Sequence, residues 1–159
     1  MTYKRRSNRL SRNRRRWGTE GAVQIEFVLS FLVIMFTIFG IWELVMVVHT
    51  MNVLSDAAKE GVRYAIVHGG GNANCSGPSP PETCTNPDVA GDRIVTLVRT
   101  WAQYTLHDID AISVNVSYPD GTTEVPSRVR VEVVYTFVPY TALPIRPAIR
   151  TVSEGRILY

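Results

Sequence analysis

Apolar residues follow three different spacings along this chain. From Phe27 to Val48, 22 residues run with Glu43 as the only charge, and the apolar positions cover every side of a helix. At 1.5 Å per residue such a helix spans roughly 33 Å, the thickness of a bilayer's hydrocarbon core with little to spare. A helical period then continues through Leu54, Ala57, Ala58, Gly61, Val62 and Ala65, three or four apart, which carries the helix on to about Val67. Ala57, Gly61 and Ala65 fall on one line, a narrow seam on which a backbone can approach closely, either that of another subunit or that of the chain's own domain.

A second period of the same kind follows Asn86-Pro87-Asp88. Proline one residue past an asparagine marks a helix start, and Ile94, Leu97, Val98 and Trp101 predict an amphipathic helix over about 87–106. Ile112, Val114, Val116 and Tyr118 then alternate with Ser113, Asn115 and Ser117, and Pro119-Asp120-Gly121 makes a turn. Val129, Val131 and Val133 alternate with Arg128, Arg130 and Glu132, so a second strand shows one face to a core and the other to water. The segment from Leu143 to Tyr159 ends in a further short strand or a packed tail. Two strands alone are marginal. Packing them on the outer helix face and the second helix buries Leu54, Val62, Leu97, Trp101 and the strand valines together. The fold class is therefore α+β: a long N-terminal transmembrane helix extending into a small exported domain with a second helix and a small antiparallel sheet.

Charge sets the direction of the span. The whole chain carries +3, but residues 1–21 hold eight Lys and Arg against Glu20 alone, so the rest is acidic. A basic N-terminal flank places the N-terminus in the cytoplasm and the C-terminal domain in the periplasm or beyond it. The organisation is then a basic leader over 1–21, a transmembrane helix with its exported extension over 22–67, and an exported domain over 68–159. A cleavable signal peptide has a shorter apolar region ending in small residues, which this segment does not. In an oxidising compartment Cys75 and Cys84 could close a surface loop by a disulfide, with free thiols as the alternative.

The entrance of the span reads Gly21-Ala22-Val23-Gln24-Ile25-Glu26-Phe27. This arrangement resembles the prepilin processing site of type IV pilins, Flp pilins and pseudopilins. The resemblance implies that an inner-membrane prepilin peptidase cuts after Gly21 on the cytoplasmic side, leaving Ala22 as the new N-terminus. A carboxylate at the start of an apolar helix is costly in lipid unless a cation pairs with it. The amine released at Ala22, one helical turn before Glu26, is such a cation, on the same subunit or a neighbour. Without processing, Glu26 reaches back to the headgroups.

Gly40-Ile41-Trp42-Glu43 and the run Asp56-Ala57-Ala58-Lys59-Glu60-Gly61-Val62-Arg63-Tyr64-Ala65 narrow the resemblance. They are similar to the TadE-like family, the pseudopilins or minor pilins of the tight-adherence (Tad, Flp) pilus, with Lys59 and Val62 as mild departures from its usual run. Val129 to Tyr159, closing on Ser153-Glu154-Gly155-Arg156, also looks like that family. The resemblance implies a non-enzymatic subunit of the bacterial inner membrane that assists assembly of an adhesion pilus, with membrane lipid, prepilin peptidase, other pilins and the assembly machinery as partners. Glu43 either seeks a cation from a neighbouring helix or lies at the outer interface near His49.

Little else points to chemistry. His49, His68 and His107 are scattered, His107, Asp108 and Asp110 read as a solvated turn, and no nucleophile elbow or phosphate loop is present. Gly69-Gly70-Gly71 reads as a flexible hinge. No cofactor, metal, nucleic acid or small-molecule substrate is expected. The rival reading is an unprocessed single-pass membrane protein whose exported domain binds a ligand or partner.

Overall fold

The computed structural model describes residues 19–141 and 146–158, with side chains from Gly21 onward. Its elements follow in the order α1 (Thr19–Val67), α2 (Asp92–Ala102), β1 (Ile112–Ser117), β2 (Arg128–Thr136) and β3 (Ala148–Arg156). Two units divide at Gly40 and Ile41. The basic leader lies outside the described residues, apart from the first turn of α1.

In the first unit the described chain is the N-terminal part of α1. From Gly21 to Gly40 every side chain but Met35 is exposed. A helix apolar on all sides and covered by nothing of its own is built for a non-aqueous surround. Among the described residues, α1 is the one helix long and apolar enough to cross a membrane.

The second unit sets the rest of α1 and all of α2 on an antiparallel sheet ordered β1-β2-β3. Register fixes its inner face. Val133 stands opposite Val114 and Thr151, and Tyr135 opposite Ile112 and Ile149, so these side chains project to one side. Val129, Val131 and Val133 are fully buried there, each stabilising the fold by about 1.5–3 kcal/mol. Leu54, Ala57, Ala58, Val62 and Ala65 of α1, with Ile94, Val98 and Ala102 of α2, complete the core.

Three expectations need correction. The second helix covers Asp92–Ala102 rather than 87–106. Gly91, at φ +75°, breaks the helix before Asp92, and Asp88 caps it from outside: its carboxylate accepts the N–H of Asp92 at 2.9 Å and of Arg93 at 2.8 Å. Its buried stripe is Ile94, Val98 and Ala102, which leaves Leu97 half-buried and Trp101 53% exposed. Small residues on α1 demand a thin partner, and valine and alanine fit where an indole does not. The triglycine is also no hinge. Gly69 and Gly70 are buried, and the Gly70 N–H donates to the Thr123 carbonyl at 2.8 Å.

β3 is a full strand of nine residues. Its inner face, Ile149, Thr151, Ser153 and Gly155, is short and partly polar. That face lets α1 come close: a Cβ at Gly155 would lie 2.6 Å from Ile66 Cδ1 and 2.7 Å from Val62 Cγ1.

Candidate functional site

Gly21, Ala22, Glu26 and Phe27 all lie in the first turns of α1, and all are exposed. Nothing stands within 4 Å of where a Gly21 side chain would begin. The Gly21–Ala22 bond is inside α1, which the structure describes from Thr19 onward. Glu26 follows Ala22 at the i, i+4 spacing, so both share one side of the helix. Phe27 stacks on Phe31 with ring centroids 6.3 Å apart.

Glu43 is 8% exposed, and its partners are 97 and 98 positions away. The segment after β2 runs back to α1 and delivers three donors to the carboxylate. Tyr140 N–H donates to Oε1 at 3.1 Å, Thr141 N–H to Oε2 at 3.3 Å, and the Thr141 hydroxyl to Oε2 at 3.0 Å. A carboxylate taken out of water is tolerated when hydrogen bonds replace its hydration. The partners of Glu43 here are two backbone N–H groups and a hydroxyl of its own chain. Sequence alone could not pair residue 43 with residue 141, because neither position carries a motif that names the other.

The small-residue seam is occupied from within the chain. Ala57 and Ala65 are buried to 1% and 0% exposure. A Cβ on Gly61 would stand 2.7 Å from Val98 Cγ2, 3.4 Å from Ile94 Cγ2 and 3.5 Å from Val131 Cγ1. Of the two backbones considered for this seam, the chain's own domain fills it.

The entrance glycine, Glu26, Glu43 and the seam thus sit on a single helix. Residues 21–63 match the family model described as TadE-like protein. No curated protein and no solved structure matches the chain.

The TadE-like segment ends at Arg63, four residues before α1 does. Within it the charged residues 56–63 lie on the face turned away from the core, where Lys59 pairs with Asp56 at 3.0 Å and Arg63 with Glu60 at 2.8 Å. Exposed pairs of this kind add little stability. Beyond the TadE-like segment, Cys75 and Cys84 are joined by a disulfide with their Cα atoms 5.7 Å apart. That loop is tied down further by the Tyr118 hydroxyl, which donates to the Ser76 carbonyl at 2.8 Å. Burial, with Asp88 nearby, pushes the Tyr118 hydroxyl up to about 12. Among the described residues no three His, Cys, Asp or Glu side chains converge as metal ligands.

Proposed function

We propose that this chain is a TadE-like minor pilin or pseudopilin, a non-enzymatic single-pass protein of the bacterial inner membrane that assists assembly of a Tad-type (Flp) adhesion pilus. One observation carries the reading: the TadE-like match begins at Gly21, at the head of an apolar helix that is exposed on all sides. The N-terminus is cytoplasmic and the domain faces the periplasm or the cell exterior, as the basic flank favours.

Prepilin peptidase cuts after Gly21, and the helix stays in the bilayer. The amine left on Ala22 then lies one turn from the Glu26 carboxylate. In lipid the two charges neutralise each other within one subunit or between subunits, and the helix N-terminus favours the carboxylate as well. Other pilins meet the exposed apolar surface of residues 22–42, since the seam at Ala57, Gly61 and Ala65 is filled from within.

Mass spectrometry of the protein from its native membrane tests this. The expected mature chain begins at Ala22, and Gly21→Leu leaves the uncut form in the membrane. Glu26→Ala is expected to insert normally and to lower pilus assembly. A native protein that retains its arginine-rich leader would favour the unprocessed single-pass reading instead.

A further inference from the structure

Around Glu43 the two sides of α1 are unlike. Facing the domain, Glu43 and Thr50 are buried and Met46 and Val47 half-buried. On the opposite side Leu44, Val45 and Val48 are 66, 58 and 48% exposed. Apolar surface therefore continues about one and a half turns past Glu43 on the side that none of the described residues covers, some 7 Å at 1.5 Å per residue. Left in water it would cost about 25 cal/mol for each Å².

The domain reaches down to the same height. Gly61 meets Val131, and Glu43 binds Tyr140. The helix covers about 27 Å between the first pair and the second, and the extended chain from Val131 to Tyr140 covers about 30 Å. β2 and its continuation thus run antiparallel to α1, and among the described residues the turn at Tyr140 lies level with Glu43. Tyr140 is 44% exposed there, Trp42 is 59% exposed one residue from Glu43, and the exposed His107 sets its ring 5.2 Å from that of Tyr140. Amphipathic rings of this kind favour the boundary between lipid and water.

We propose that the part of the exported domain level with Glu43, carrying Tyr140, Thr141 and His107, sits within the outer headgroup layer of the bilayer that α1 crosses, so that the lipid surface is a binding partner of the domain as well as of the helix. This rests on the reading of α1 as membrane-spanning. Residues 22–42 span about 31 Å, one hydrocarbon core, which puts Glu43 at its outer edge. The headgroup layer beyond that edge is about 5–7 Å deep, enough to cover the uncovered side of α1 to Val48. At that depth water is scarce, and the three donors from Tyr140 and Thr141 replace it around Glu43.

The test uses the full chain in vesicles of phosphatidylethanolamine and phosphatidylglycerol, with bromine on the acyl chains near their headgroup ends as a quencher. Single-tryptophan forms report from three places: native Trp42, Tyr140→Trp, and Leu158→Trp at the far end of the domain, each with the other tryptophans replaced by phenylalanine. The expected result is loss of emission at positions 42 and 140, relative to unbrominated vesicles, and none at 158. Quenching at 42 without quenching at 140 overturns the proposal and leaves the membrane span intact. That outcome would mean that something other than lipid covers Leu44 to Val48. No quenching at 42 removes the span itself, and the proposal with it.

Discussion

The Thr141 hydroxyl donates to the Glu43 carboxylate at 3.0 Å, joining the helix near its emergence from the apolar segment to the connection between β2 and β3. Replacing Glu43 with alanine strips the acceptor from two N–H groups in a partly buried turn, at a cost of about 1–3 kcal/mol. Hydrogen exchange at the Tyr140 and Thr141 amides, read in detergent or nanodiscs, should then accelerate about five- to a hundredfold. Glu43→Gln keeps one carbonyl oxygen and should fall between alanine and the native chain. Unchanged exchange in Glu43→Ala would show that the turn is held by other contacts.

Gly61→Ala should destabilise the domain although alanine is the better helix former by about 1 kcal/mol. The new methyl meets Val98 Cγ2 at 2.7 Å, and overpacking of this kind costs about 1–3 kcal/mol. Val98→Ala in the same chain removes the obstructing methyl and should recover part of the loss. Thermal unfolding of the two single variants and the double variant measures the coupling. Strict additivity would contradict the contact.

Converting both cysteines to serine opens a loop of nine-residue separation and should lower stability by about 2–3 kcal/mol. Cys75 is fully buried and Cys84 half-buried, so reductant should reach the bond from the Cys84 side. Loss of the midpoint difference between the serine variant and the oxidised chain would mean that the hydrogen bonds of Gly70 and Tyr118 hold this region alone.

Asp120 carries the clearest acid dependence. Its carboxylate accepts the Arg128 N–H at 2.8 Å and faces the guanidinium at 2.8 and 3.1 Å, and the Arg128 side chain, then its backbone N–H, holds the group down to about 2, against an ordinary 3.8. A depressed folded value means that the contribution is complete above about 3.8 and fades as the pH falls toward 2. Carboxyl-carbon NMR should find Asp120 titrating near 2, and Asp120→Asn should flatten the stability profile across that window. Titration at the ordinary value would dissolve the pair.

Sequence periodicity went far where one face met one environment. The apolar run of α1 and the alternation of β1 and β2 were legible for that reason, and so was the approach of α1 to the sheet. α2 was harder, because Leu97 and Trp101 lie on the same broad stripe as Ile94 and Val98, and only the thinness demanded by Gly61 decides which edge turns inward. β3 hid for a related cause. Its inner positions are Thr151, Ser153 and Gly155 beside a close helix, so no apolar alternation announces it. The entrance residues Gly21 and Glu26 could be singled out from local spacing, whereas the role of Glu43 depends on a partner across the whole domain.

Because Leu54, Ala57, Ala58, Val62 and Ala65 all come from α1, α2 by itself covers only part of the sheet's inner face. A fragment cut to begin after Val67 would expose the part of the β2 valines that α1 covers and should be recovered as aggregate. Producing this domain in soluble form therefore means keeping the outer helix and severing the chain near Trp42, where the greasy stem can be discarded without taking the keel of the folded part with it.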